Sequence, residues 1–566
     1  MSKVFKRVLF MVLLLSLLLT ACNTAPAAAT EESKEQEKVS EVEEVVPQEE
    51  AEEVEEITAD SKMGGTFVWA LTQEPGTLDS SKAAMAVEDT IMQFIGGGLV
   101  YPNNEGGYEP YLAESWTTSE DGLIWEFKLR EDILFQDGNP LTAHDYAWTF
   151  NRALDPEVGS PAAGPMLGAV DSIEAIDDYT VQIQLQQPNF PLLYGLSDPG
   201  YMQPISKAAF EEMGEEAYSR NPVSVGPYKL KEWVTGEHIL LERNPDYNWG
   251  PANLNNSGAY YIEFIEFRII PEYATILAGM EAGEIDYAYT TFLAADVDFL
   301  KDSGNFEIFE SLQQGLRPYI SMNVTKPAFD DILVRKAINL AINRQALLEV
   351  VVQGNAYVQN GPISQSVMGY WDGIEEIGYD YDLELAKSYM EEAGYSLNSD
   401  GIFAKDDIVM SFSFITTPDD IQVKVAQVVK EQLKQAGIEI NIETMEIGTL
   451  LTPLMTGDYD IGSLGMTFGE ADLMYIMYHS SNIGAYNFSQ LASEEMDVYL
   501  DATRNATDAE VRQQACNDAQ KYIVEQAVVV PLFTPVNFHP VNSRFKDTSF
   551  NQTLISIQLD SAYLEE

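Results

Sequence analysis

The chain has 566 residues, 45% of them apolar and 11% aromatic, which is enough to bury a large core and too many for a single compact one; two or three packed subdomains are expected. It carries 32 Lys and Arg against 90 Asp and Glu, a formal net charge of −58. So acidic a surface lacks the basic patches that nucleic acid and anionic lipid headgroups require, which argues against both as partners.

At the amino terminus Lys3, Lys6 and Arg7 precede an apolar run from Val8 to Leu19 broken only by Ser16. That run is shorter than the roughly 20 residues a spanning helix needs. Its layout is that of a secretory signal covering residues 1–21. The run ends in Leu19-Thr20-Ala21-Cys22, which resembles the bacterial lipobox. The resemblance implies that Cys22 is lipidated and becomes the first residue of the mature chain, anchored to a membrane face without spanning it. From Glu31 to Asp60 there are 14 acids and 2 lysines, and no apolar run long enough to pack. Residues 22–62 therefore read as an acidic, disordered tether. Flexible-coil scaling over its roughly 40 residues gives a reach of about 35 Å.

Ile124 to Arg130 alternates, with Trp125, Phe127 and Leu129 on one face and Glu126, Lys128 and Arg130 on the other, as a half-buried strand does. Glu120-Asp121-Gly122 is a turn signal that lets Glu114 to Thr118 pair back as a hairpin. Asp137-Gly138-Asn139-Pro140 leads to Thr142, placed to cap a helix with Asp145 at its third position. Helices are predicted from about Asp331 to Gln353 and from Leu383 to Ala393, each stopped by a glycine, Gly354 and Gly394. Met410, Phe412 and Phe414 mark a strand. Thr417-Pro418-Asp419-Asp420 then starts a helix with a cap, a proline at its first position and acids in its first turn. That helix stops at Gly437, and Ile438, Ile440 and Ile442 mark the next strand, giving strand, helix, strand of a mixed or parallel sheet. Cys516, in a helical run from Ala506 to Glu525, reads as a small core residue. With Cys22 lipidated it leaves no internal disulfide.

Several of these segments resemble the family 5 extracellular solute-binding proteins, which serve oligopeptide, dipeptide, glutathione and nickel importers. The most specific stretch is Leu112-Ala113-Glu114-Ser115-Trp116, continuing through Trp125-Glu126-Phe127-Lys128-Leu129-Arg130 to Phe135-Gln136-Asp137-Gly138. Val225-Gly226-Pro227-Tyr228, Arg243-Asn244-Pro245, Gly283-Glu284-Ile285-Asp286, Val334-Arg335-Lys336-Ala337-Ile338 and Glu392-Ala393-Gly394-Tyr395 follow in order. The resemblance implies an α/β, two-lobed periplasmic-binding-protein-like fold with an inserted third subdomain and a hinge. The first lobe is expected at 63–104, 223–314 and 530–566, the insert at 105–222 and the second lobe at 315–529. It also implies a monomer, without cofactor, that closes on a small-molecule solute and delivers it to the permease and ATPase subunits of an ABC importer. Its place is the outer face of the cell membrane, or the periplasm where a second membrane exists.

In peptide-binding relatives a Gly-Trp segment leads to Asp-Tyr-Pro-Asp-Pro, whose first aspartate pairs with the peptide's amino terminus. Here the segment reads Gly465-Met466-Thr467-Phe468-Gly469-Glu470-Ala471-Asp472, so the tryptophan is replaced by Met466 and glycine or glutamate stands in the aspartate's place. Gly469-Glu470-Ala471-Asp472 resembles the glutathione-type variant. Glu470 is the nearest carboxylate to replace the missing one and is expected to hold a positive group of a short peptide or peptide-like solute. Asp472 reads either as a cleft residue or as the cap of a helix from Leu473 to Tyr478. Phe468, Tyr486 and Asn487 are expected on the same wall. Gln73, Glu74, Thr77, Tyr289 and Thr290 are expected on the opposite one, by family analogy. Arg317 and Tyr319 sit where the first crossover between lobes is expected, and the planar fork of Arg317 suits a carboxylate.

Rival readings are a nickel receptor, an oligosaccharide receptor, a sensor without a transporter and an enzyme. The four histidines, His144, His238, His479 and His539, stand at no ligand spacing, and Glu470, Asp472 and His479 make a loose metal set. Of the seven tryptophans, Trp116, Trp125 and Trp148 belong to the scaffold. No nucleophile elbow, phosphate loop or zinc motif is present in the sequence, so neither a catalytic residue nor a resident metal is assigned.

Overall fold

The computed structural model describes residues 59–103, 107–506 and 508–565. The secretory signal, Cys22 and the tether as far as residue 58 lie outside the described residues.

The first sheet is built around Thr66–Leu71, whose run of large apolar residues lacks alternation because both of its faces are covered. Phe67, Trp69 and Leu71 enter an aromatic core with Phe94 and Phe267, while Ala70 packs with Ile276 and Met280. The strand runs parallel to Phe264–Ile269 and to Tyr287–Tyr289, and the helix Tyr273–Glu281 makes the crossover between those two. His238–Arg243 and Tyr228–Val234 complete the sheet as an antiparallel edge.

A separate four-stranded antiparallel sheet is formed by Ala113–Thr118, Ile124–Leu129, Thr180–Leu185 and Val170–Asp177. The expected hairpin is present. Trp116 stands opposite Phe127 and Thr118 opposite Trp125, with Gly122 in the turn at φ +68°, a conformation that favours glycine. Thr142 caps the helix Ala143–Leu154, and its N–H donates to Asp145 Oδ2 at 3.0 Å, the reciprocal half of a capping box.

The other large sheet has the order Glu439–Thr444, Ser411–Thr416, Ile461–Met466, Leu316–Met322, Val529–Pro531. Ser411–Thr416 is parallel to both neighbours, which confirms the strand, helix, strand reading of 410–443. Its helix starts later than expected. The cap is Asp419, which accepts from the N–H groups of Ile421 and Gln422, and the helix is Asp420–Gln435. The single helix expected over 331–353 is two, Ile332–Ala341 and Arg344–Val352. Asn343 breaks it by capping the second helix through Ala346 N–H. The buried Arg344 is pinned to the carbonyls of Pro531 and Tyr379, both at 2.7 Å.

Two chain passages join the lobes. Phe306–Leu312 pairs antiparallel with Phe533–Asn542, and the opening residues of that long strand pair with Ala356–Val358. Where the first passage enters the second sheet, Gly315 lies at φ +97°, and a β-carbon there would collide with Met466 O. A close approach of the crossover to the strand end that follows Met466 therefore requires glycine at 315.

Candidate functional site

Parallel strands present their carboxyl ends together, and ligands of open α/β sheets bind outside those ends. Thr66–Leu71 and Tyr287–Tyr289 end side by side at Thr72 and Thr290. Ile461–Met466, from the other large sheet, ends at Thr467. All three ends line one pocket of about 520 Å³, whose floor is the crossover residues Gln313, Gln314, Asn537 and His539. Gln313 Nε2 donates to Thr467 Oγ1 at 3.3 Å, and Gln314 Nε2 donates to Thr553 O at 2.9 Å. His539 is held by Tyr287 Oη at Nδ1 and Ser311 Oγ at Nε2, both at 2.9 Å. Burial pushes its imidazole down to about 4, so the floor carries no charge at neutral pH.

Of the residues expected from the sequence, Tyr289, 40% exposed, and Thr290 line this pocket. Gln73, Glu74 and Thr77 follow directly after Thr72 but do not line it. Glu74 accepts from Trp233 Nε1 at 2.9 Å and from Gly236 N–H at 3.1 Å, and Thr77 Oγ1 accepts from Asp79 N–H, so both organise the loop; Gln73 is exposed. Met466 pairs with Leu316 across the sheet, and Phe468 packs its ring against Tyr194 with centroids 5.6 Å apart. Arg317 is exposed beside Gly465 and forms no ion pair among the described residues. Tyr319 is buried, with a hydroxyl that has no partner among them. Tyr486 is exposed, whereas Asn487 is fully buried and donates to the carbonyls of Tyr478, His479 and Leu491, a loop-holding role.

Glu470 and Asp472 are placed differently from expectation. Glu470 is 1% exposed, paired with Arg512, and accepts the Asp472 N–H. Asp472 is the first residue of the helix Asp472–Tyr478 rather than its cap, and its carboxylate takes a bidentate pair from Arg504 at 2.6 and 2.7 Å. In a chain with so few cations, buried carboxylates require partners from the protein itself. Both charges are compensated by arginines of the helices Glu494–Asn505 and Ala509–Gln526.

The sequence did not mark two further carboxylates, Asp89 and Asp198. Gln93 Nε2 donates to Asp89 Oδ2 at 2.8 Å, and the Asp89 carboxyl hydrogen-bonds with that of Asp198. Asp198 Oδ1 accepts from Gly200 N–H at 2.9 Å and Tyr201 N–H at 2.7 Å. Burial first, and then the charge of Asp198, holds the Asp89 carboxyl well above the usual range; burial also raises Asp198. Two carboxyls this close share a proton. After burial, the charge of Asp89 contributes to raising Tyr201 and the pocket residue Tyr289. Asp89 reads in the sequence as a first-turn helix acid and Asp198-Pro199-Gly200 as a turn, so neither carried a signal of function.

Residues 107–487 match the family model described as bacterial extracellular solute-binding proteins, family 5 Middle. The periplasmic oligopeptide-binding protein OppA of Salmonella typhimurium is 27% identical, over 82% of this chain and 86% of that one. The glutathione-binding protein GsiB of Escherichia coli O1:K1 is 28% identical over 81% and 86%. Among solved structures, the ABC transporter-associated periplasmic binding protein DppA from Helicobacter pylori in complex with peptide STSA superposes with a TM-score of 0.67 at 26% identity. That match covers 90% of this chain and 99% of that one.

Proposed function

The chain belongs to the bacterial extracellular solute-binding proteins of family 5, and from that premise we propose that it captures a short peptide or peptide-like solute with a positive group and delivers it, unaltered, to an ABC importer. The observation that carries this reading is the pocket of about 520 Å³ walled by the strand ends of both large sheets and floored by the two crossing passages. A solute touching both walls stabilises the closed form by as much as its affinity differs between open and closed. Among the described residues no tryptophan lines that pocket, which counts against sugar stacking there, and its floor is neutral and hydrogen-bonding, as suits a peptide backbone.

Because Arg512 occupies Glu470, we assign the counter-charge for the solute's positive group to the Asp89–Asp198 pair, which does not line the pocket and acts on it through its charge. A cation bound beside Tyr289 is attracted by the negative charge of the pair and favours its ionised form. Arg317 is assigned to the carboxylate end. The first lobe is placed at 63–104, 223–314 and the carboxyl-terminal stretch, the insert at 105–222 and the second lobe from 315. The pairing of Val529–Pro531 with Tyr319–Ser321 supports a last boundary just after that strand. Cys22 is proposed as the lipid anchor. Isothermal calorimetry with short peptides of defined charge tests the reading: peptides with a free amino terminus bind, and their N-acetylated forms bind at least about tenfold more weakly. Equal affinity of the two forms removes the assigned counter-charge.

A further inference from the structure

Trp125, Phe127, Phe150 and Ile183 share one continuous apolar core with Trp69, Phe94 and Phe267, so the four-stranded antiparallel sheet and the first large sheet are packed as one body. Leu316, Leu473, Met474 and Cys516 belong to a separate core. Contacts between these two bodies are the ones that a hinge motion makes and breaks.

One such contact is carried by the short helix Leu192–Leu196 and the residues before it. Leu192, Leu193 and Leu196 are buried in the first core, and Tyr194 between them is only half-buried. Its ring meets Phe468, which packs against the other core. A β-carbon at Gly469 would stand 2.5 Å from Tyr194 Oη and 2.7 Å from Oε1 of the pocket residue Gln314, so this approach needs glycine. Beside it, Phe190 N–H donates to Arg504 O at 3.1 Å, and the Arg512 guanidinium lies over the Phe190 ring, 5.0 Å from its centroid.

Those two arginines are the ones held by Asp472 and Glu470, whose carboxylates do not line the solute pocket. Gly469-Glu470-Ala471-Asp472 therefore has a use other than touching solute. Its acids fix the arginines that seat Phe190, and its glycine leaves room for Tyr194. The seam is not filled: a space of about 390 Å³ remains beside it, with Trp116, Trp125 and Phe190 on one side and Asp508, Ala509 and Gln513 on the other. Contacts around such a space hold less firmly than a close-packed core, as an interface that opens and closes requires.

We propose that Phe190 and Tyr194 are positioning residues for capture: they latch onto residues 469–472 when the two bodies close, and so set solute affinity from outside the pocket. The latch rests on the hinge closure of the preceding reading but not on the identity of the solute. A solute that binds the closed form has its apparent affinity scaled by the closed fraction, which the latch raises. Spin labels at Glu174→Cys and Gln514→Cys, both exposed, report the separation of the bodies in the Cys22→Ala background, where the remaining Cys516 is fully buried. Without solute, the otherwise wild-type protein is expected to show mainly a short distance, and Tyr194→Ala to lower the ratio of short to long populations at least about fivefold. Gly469→Ala, which displaces the Tyr194 hydroxyl and leaves the ring present, is expected to shift the ratio the same way. Calorimetry with trialanine as the probe is expected to show affinity falling in step with the short-distance population. A distribution unchanged by the substitutions, or one with no short distance before them, overturns the latch, and Gly469→Ala decides this where Tyr194→Ala fails to fold. A shifted distribution with unchanged trialanine affinity overturns the role in capture. A shifted distribution with no trialanine binding to any of the proteins supports the latch and counts against the peptide reading.

Discussion

Arg512 and Glu470 form an ion pair from which water is nearly excluded, with side chains 8% and 1% exposed, and the second Glu470 oxygen accepts the Asp472 N–H. Breaking a buried pair leaves one charge without compensation, which costs about 3–5 kcal/mol. Glu470→Gln is expected to lower stability by that amount in urea titration, and Glu470→Gln with Arg512→Met to recover most of it. A single variant as stable as wild type shows that the carboxylate is free in solution and returns it to the list of solute contacts.

Asp89→Asn is expected to act in opposite directions on stability and on binding. The folded-state value of the Asp89 carboxyl is raised above 3.8. The pair's contribution to stability is therefore fully present below that pH and is lost as pH rises through the raised value. The variant is more stable than wild type at pH 7, and the gain disappears toward pH 4 in thermal melts. A peptide with a free amino terminus binds it at least about tenfold more weakly. A gain in stability with unchanged affinity leaves the pair as a feature of the fold alone.

Cys22→Ala is expected to leave the folded domain intact, by circular dichroism, and to move the protein from the membrane to the soluble fraction. The lipobox spacing and the short apolar run before it motivate this. Unchanged membrane retention contradicts lipidation as the anchor.

Closure around a solute brings the walls of the larger pocket together, so the radius of gyration from small-angle scattering is expected to fall when a binding peptide is added. An unchanged radius at saturating peptide contradicts hinge closure as the signal to the importer.

Local rules carried much of the fold. The alternation at 124–130, the Thr142 capping box and the glycines at 394 and 437 are dictated by neighbours in sequence, and the structure has each of them. Where long-range contacts decide, local reading failed. Residues 331–353 have continuous helical spacing, yet the chain breaks at Asn343 because Arg344 is pinned to carbonyls far away in sequence. The site divides in the same way. Tyr289 ends the strand Tyr287–Tyr289 and Thr290 follows it; family analogy, not local pattern, put them on the wall, and both line the pocket. Glu470 looked free only because Arg512 lies 42 positions away. Asp89 and Asp198 gain meaning only when folding brings them together.

The central claim is that the cleft holds a short peptide-like solute without changing it, and native mass spectrometry of the purified domain in a mixture of defined short peptides tests this most directly. The account predicts a one-to-one complex that releases its peptide with mass unchanged on denaturation. Absence of any peptide complex, or release of a cleaved or modified peptide, contradicts it.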